Sequence, residues 1–258
     1  LSIYSFAQET TINNKLVVGA NQIEIYIHKL NKKSIGIVAN QTSVIFNEDG
    51  SYTHLVDSLH KLKLNIKRVF APEHGFRGEA DAGEHVKNGI DSETGLSIIS
   101  LYGKNKKPSL NYLKDIDIMV FDIQDVGVRF YTYISTLHYI MEACAENNIP
   151  LVILDRPNPN GDYIDGPILD LKHKSFVGMH PVPIVHGMTI GEYGKMINGE
   201  SWLANKLQCD LSVIKITNYS HSRVYEPPIP PSPNLPNYKS IRLYPSLCLF
   251  EGTSISVG

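Results

Sequence analysis

Residues 69–84 place a carboxylate, an imidazole and a guanidinium on one short stretch: Glu73, His74 and Arg77. The apolar run up to Ala71 reads as the end of a buried strand, and Pro72, with no N–H to give, stops its ladder. Glu79, Asp81 and Glu84 follow, while Gly75, Gly78 and Gly83 let the loop turn tightly and bring bare backbone to a ligand. A carboxyl leaving an apolar strand is drawn by partial burial toward the range of a general acid. His74 can donate to a ligand or cap its own loop, and Arg77 can hold a carboxylate through two parallel bonds.

Similar chemistry recurs at three other places. Asn40-Gln41-Thr42-Ser43, Asp122-Ile123-Gln124-Asp125 and Asp155-Arg156 each follow a short apolar run. Arg129 and Arg156 join Arg77 as candidate holders of a substrate carboxylate. The alternative for each is pairing with Asp122, Asp125 or Asp155, and at least one is expected to pair. Tyr131 and Tyr133 can stack on a ring or pack against a sheet, and packing is expected for one of them. His74, Asp81, His85, Asp122 and Asp125 could supply metal ligands, but no His-x-x-x-His or cysteine pair fixes a geometry. No Gly-x-Gly-x-x-Gly, phosphate loop or Gly-x-Ser-x-Gly occurs, so no motif points to a dinucleotide, a nucleoside triphosphate or a serine nucleophile.

The elements that must position these residues alternate. Strands are expected at 34–39, 66–71, 96–102, 116–121, 150–154 and 211–216, each a continuous apolar run of the kind buried on both faces. Helical spacing appears at 22–30, 55–62, around Tyr112, at 133–145 and at 190–198. This predicts an α/β fold: a Rossmann-like open, mainly parallel sheet with helices on both faces. Ligands of such sheets bind outside the carboxyl ends of the strands, where all four polar clusters fall. The Pro-rich stretch 227–236 can be neither helix nor central strand and reads as a semi-rigid connector. The expected division is a leader remnant and tail at 1–22, a Rossmann-like catalytic domain at 23–226, and a connector with the start of a smaller C-terminal domain at 227–258.

The chain has 258 residues, 42% hydrophobic and 19% charged, enough to bury a sizeable core. A net charge of −2 gives no field favouring nucleic acid or anionic membrane. Fourteen tyrosines against one tryptophan suit polar ligands with flat apolar faces, sugars included, although most are expected in core and rim. Cys144, Cys209 and Cys248 match no zinc or redox spacing, and no apolar run reaches the ~20 residues of a membrane span. Residues 1–9 resemble the end of a signal peptide with Ser5-Phe6-Ala7 as its cleavage site, so export to the periplasm is expected.

Asn40-Gln41-Thr42, the stretches 70–78 and 121–133, Asp155-Arg156-Pro157-Asn158-Pro159 and Pro231-Ser232-Pro233-Asn234 together resemble the NamZ-type exo-β-N-acetylmuramidases. The resemblance covers nearly the whole chain from about Ile35. It implies an exo-acting glycosidase that removes N-acetylmuramic acid from the non-reducing end of peptidoglycan fragments. It also implies a Rossmann-like domain and a smaller C-terminal domain with the cleft between them, and Glu73 as the catalytic acid. Family members continue past Glu251-Gly252-Thr253, so the sequence is expected to be truncated there. The lactyl carboxylate of muramic acid gives the arginines a purpose, with Arg77 first and Arg129 and Arg156 after it. The second catalytic group is open among Asp125, Asp122, Glu79 and Glu251, with Asp125 preferred, and the substrate's own acetamido group is a further route. The expected substrate-binding set is Asn40, Gln41, Thr42, His74, Arg77, Asp122, Gln124, Arg129, Tyr131, Tyr133, Asp155, Arg156, Asn158, His186 and Glu251. No metal or other cofactor is expected, and the partner is a peptidoglycan-derived saccharide. A non-catalytic carbohydrate-binding protein and a metal-dependent hydrolase are the competing readings.

Overall fold

A computed structural model describes residues 14–78, 88–103 and 105–253. In chain order the elements are α1 (Ile23–Leu30), β1 (Ile35–Ala39), β2 (Val44–Phe46), β3 (Tyr52–His54), α2 (Leu55–Lys61), β4 (Ile66–Ala71), β5 (Gly89–Ile90), β6 (Ser97–Ser100) and α3 (Leu110–Leu113). They continue with β7 (Ile118–Asp122), α4 (Tyr133–Glu146), β8 (Leu151–Leu154), α5 (Ile190–Gly199), β9 (Leu211–Ile214) and α6 (Tyr238–Leu247). The main sheet runs β5-β6-β4-β1-β7-β8-β9, and every pairing in it is parallel except that of β5 with β6. With the short edge strand β5 set aside, this is the doubly wound order, whose direction of winding reverses between β1 and β7.

β1, β7 and β8 are buried at every position, as their unbroken apolar sequences require. Alternate residues divide between two cores. Val38, Phe70, Met119, Phe121 and Ile153 face α4 and α5, while Ile37, Val69, Val120 and Val152 face α1 and α2. Helices therefore cover both faces, as the apolar spacing predicts.

Three elements were not expected, the two-residue edge strand β5 being one of them. The β2–β3 hairpin fills the connection from β1 to α2. α6 forms although Pro245 lies inside it, because Asn237 and Ser240 cap its first turn reciprocally. Pro245 falls in the last part of the helix, and that is why the sequence pattern hides it. Residues of the stretch expected to open a second unit, Leu235, Ile241, Tyr244 and Cys248, bury their side chains in the same core as α4. All three cysteines are free and buried, and no helix among the described residues is long and apolar enough to cross a membrane.

Among the described residues, one ion pair is wholly inside. Arg156, just past β8, donates from Nε to Asp122 Oδ1 (2.6 Å) and from a terminal nitrogen to Asp122 Oδ2 (2.9 Å) and the Val44 carbonyl (2.9 Å). It thereby ties the carboxyl ends of β7 and β8 to the hairpin. Burial raises the Asp122 carboxyl and the guanidinium draws it back. Replacing Asp122 by Asn would leave the buried guanidinium without its counter-charge. Urea unfolding should then show a loss of about 3–5 kcal/mol. A loss below about 1 kcal/mol would show that the pair does not hold these ends together.

Candidate functional site

The loop after β4 is a tight turn closed by the Gly75 N–H on the Pro72 carbonyl (3.2 Å). Glu73 and His74 occupy its corners, and His74 takes a left-handed φ of 69°, a conformation that histidine tolerates better than bulkier or branched residues. The turn directs Glu73 into a cleft of about 260 Å³, smaller than the ~300–1,000 Å³ of drug-sized ligand sites. That is room for one sugar ring.

Each wall of the cleft has a different origin. Phe130, Tyr131, Thr132 and Tyr133 come from the approach to α4; Ser232, Asn234 and Leu235 from the Pro-rich segment; Tyr244 and Glu251 from α6 and the turn beyond it. Val177 adds an apolar edge. The rings of Tyr131 and Tyr133 meet edge to face at 4.8 Å, and Tyr131 meets Tyr244 at 6.0 Å. Burial raises all three phenols well above their ordinary value, so they stay protonated.

Behind this wall a hydrogen-bonded layer closes the crevice between β1 and β7. Asn40 donates to the Tyr133 hydroxyl (2.9 Å) and accepts from the Thr42 N–H (2.9 Å) and hydroxyl (2.6 Å). The Thr42 hydroxyl accepts from the Gln124 N–H (3.0 Å), and the Gln124 amide donates to the carbonyls of Asp125 and Pro157, both at 2.7 Å. Gln41 donates to the carbonyls of Pro231 (3.0 Å) and Pro230 (3.3 Å), which pins the Pro-rich segment over the sheet's edge. Asn40, Thr42 and Gln124 therefore support the site from below, and Gln41 brings Ser232 to it. Of the predicted site residues, catalytic Glu73 and the binding residues His74, Tyr131, Tyr133 and Glu251 line the cleft together.

Several others serve the fold. Arg77 does not face the cleft: it donates to Asp91 through Nε (2.8 Å) and a terminal nitrogen (2.7 Å), and to Asp57 at 2.9 and 3.2 Å. Burial works to raise the Asp91 carboxyl, yet Arg77 and Thr94 hold it at about 2. The expected order of the arginines is thereby corrected, because two carboxylates already saturate Arg77. Arg156 and Asp122 are spent on each other. Asp155 accepts from the Gly191 N–H and the Thr189 hydroxyl, both at 2.8 Å, and anchors the start of α5. Asn158 bonds the Met188 carbonyl (2.9 Å) and the Asn160 N–H (2.8 Å). Arg129 is buried and meets no carboxylate among the described residues.

Asp125 lies outside the lining. Its Oδ2 accepts from the Gly127 N–H (2.7 Å), its Oδ1 has no partner, and burial pushes the carboxyl up to about 7. His186 Nε2 stands 3.7 Å away. Its Nδ1 accepts from the Met188 N–H (3.2 Å), and burial pushes the imidazole down to about 3, so it is neutral with its proton on Nε2. Glu251 takes the hydroxyl of Tyr244. Burial raises its carboxyl, Tyr244 draws it down, and the charge of Glu73 adds to the rise. Among the described residues, the carboxylate that shares the cleft with Glu73 is thus Glu251.

Asp81, Glu79, Glu84 and His85 lie outside the described residues. Among those described, no group of three or more His, Cys, Asp or Glu is placed to hold a metal ion. Ser232, Asn234 and Tyr244 were not singled out as site residues; the only hint in the sequence was the motif Pro231-Ser232-Pro233-Asn234.

The family model described as exo-β-N-acetylmuramidase NamZ, N-terminal, matches residues 35–239. Over 239 residues the chain is 45% identical to the peptidoglycan β-N-acetylmuramidase NamZ of Bacillus subtilis (strain 168), covering 90% of this chain and 56% of that protein. A solved DUF1343 family protein of Bacteroides fragilis NCTC 9343 superposes with a TM-score of 0.84 at 50% identity, over 95% of this chain and 64% of that one. A second from the same organism gives 0.80 at 36% identity, over 92% and 60%. The chain thus spans between half and two thirds of the length of these relatives.

Asp125 gives this region a pH dependence. The raised carboxyl binds its proton more tightly folded than unfolded, so its contribution to stability is full below about pH 4. It is lost as the pH climbs through about 7. Asp125→Asn keeps an acceptor for Gly127 and removes the charge. Its melting temperature should therefore gain on that of the wild type by several degrees between pH 5 and pH 8. Parallel melting curves at the two pH values would refute the burial argument.

Proposed function

The chain belongs to the exo-β-N-acetylmuramidase NamZ N-terminal family, and we propose that its cleft hydrolyses the glycosidic bond of a terminal non-reducing β-linked N-acetylmuramic acid in peptidoglycan fragments. The observation that carries this reading is the meeting of Glu73 and Glu251, from distant parts of the chain, in one tyrosine-walled cavity the size of a single sugar. Glycosidases commonly work with two carboxyl groups flanking the bond that breaks. In our reading Glu73 gives its proton to the leaving oxygen as the bond to the anomeric carbon breaks. Glu251 stabilises the positive charge developing on the ring, and water adds to that carbon as its proton passes to the Glu73 carboxylate. The aromatic rings of Tyr131 and Tyr244 suit the apolar faces of a pyranose. Export of the protein to the compartment of its substrate belongs to the same proposal and rests on residues 1–9.

The test is release of N-acetylmuramic acid from a disaccharide that carries it at the non-reducing end. Glu73→Gln should lower kcat about a thousandfold or more, while a glycoside with an activated leaving group such as 2,4-dinitrophenolate should recover most of that loss. Glu251→Gln should lose about a hundredfold or more on both substrates, since its role is independent of the leaving group. The opposite pattern would exchange the two roles. No release by the wild type, together with retained affinity for the disaccharide, would leave a binding protein.

A further inference from the structure

Three arginines lie near the carboxyl edge of the sheet, and two are fully matched by aspartates. Arg77 holds Asp57 and Asp91, and Arg156 holds Asp122. Arg129 is only 6% exposed, yet forms no ion pair among the described residues. One terminal nitrogen donates to the main-chain carbonyls of Pro167 (3.0 Å) and Val182. Its Nε is buried with no hydrogen-bond partner at all. A guanidinium keeps its charge in proteins, so burying it without a counter-ion is among the costlier things a fold can do. Carbonyl dipoles offset part of that cost and leave the charge uncancelled. Burial accordingly lowers the proton affinity of Arg129, whereas Arg77 and Arg156 are both raised by their aspartates.

Position supplies the second half of the argument. The centre of the Arg129 guanidinium lies 5.7 Å from the centroid of the Phe130 ring, and Phe130 lines the cleft. The charge therefore sits about one ring's width from a residue of the wall. Among the described residues the lining carries Glu73 and Glu251 and neither lysine nor arginine, so a carboxylate ligand lodged among these walls would meet repulsion. We propose that Arg129 is the group that receives the carboxylate of the substrate's lactyl ether, which reaches past Phe130 to the unmatched guanidinium. This rests on the reading of the cleft as a site for N-acetylmuramic acid. It adds the residue that tells that sugar from N-acetylglucosamine, which lacks the lactyl group.

Equilibrium binding of the two free sugars to the protein tests the inference without calling on turnover. The wild type should prefer N-acetylmuramic acid by about ten- to a hundredfold, the range of a charge-assisted bidentate contact. Arg129→Gln should bring the two affinities within about threefold of each other, at an unchanged far-ultraviolet dichroism spectrum. Arg129→Lys keeps the charge and loses the fork, and its preference should fall about tenfold; this variant decides the matter if the glutamine variant does not fold. Arg77→Lys, whose partners are Asp57 and Asp91, should keep the full preference. Equal binding of both sugars by the wild type, or an undiminished preference in a folded Arg129 variant, overturns the assignment of Arg129 alone. A wild type that binds neither sugar sinks the reading of the cleft along with it.

Discussion

The carboxyl edge of the sheet is organised around a charge pair buried away from solvent. Asp122 closes β7 and Arg156 opens the loop after β8, and the fork between them also takes the carbonyl of Val44. Such a pair adds little net stability, because desolvating two charges costs about as much as their attraction returns. What it does impose is geometry. The fork accepts its carboxylate in one plane, so the ends of two strands and one hairpin are fixed relative to each other. On that fixed base the Asn40–Thr42–Gln124 layer is assembled without an unpaired group at its centre.

A consequence is that the usual ligand crevice of a doubly wound sheet is filled. Between β1 and β7, where the winding reverses, side-chain and main-chain bonds occupy the space that a nucleotide takes in other folds of this type. The cleft lies instead above this layer, walled by Glu73 after β4, the aromatic approach to α4, and the Pro-rich segment fastened by Gln41. Tyr133 joins the two levels: its ring faces the cleft and its hydroxyl takes the Asn40 amide. A disturbance of the buried layer therefore reaches the cleft through one residue.

The electrostatics follow the same division. Groups that maintain the fold are matched in pairs or by backbone donors, as with Arg77 and its two aspartates, Arg156 with Asp122, and Asp155 with the first turn of α5. Seven buried side-chain atoms lack a hydrogen-bond partner among the described residues; two of them, His74 Nδ1 and Tyr131 Oη, belong to residues that line the cleft, and a third, Arg129 Nε, to the neighbour of Phe130. Part of the fold's departure from full polar satisfaction thus falls where function is proposed.

The strands and most helices were legible in the sequence, because a strand buried on both faces must be continuously apolar and a covering helix must repeat at its own period. That pattern alone fixed the class of sheet, its helices on both sides, and the placing of polar clusters at the carboxyl ends. Glu73 was legible too, since Pro72 ends its strand and the next side chain must leave the ladder. For Arg156, Asp122 was among the partners the sequence offered, whereas the partners of Arg77 were not legible. Arg77, Arg129 and Arg156 look alike in sequence, each on a loop among acids, and Arg77 seemed best placed by its nearness to Glu73. Its direction is set by a left-handed turn at His74 and by Asp57 and Asp91, which are distant in sequence and adjacent only in the folded chain. Glu251 likewise reaches Glu73 only because α6 packs on the core of α4. Periodicity records which face of an element is buried; ion pairing depends on distances of a few ångströms between remote segments, and only the packed structure brings those segments together.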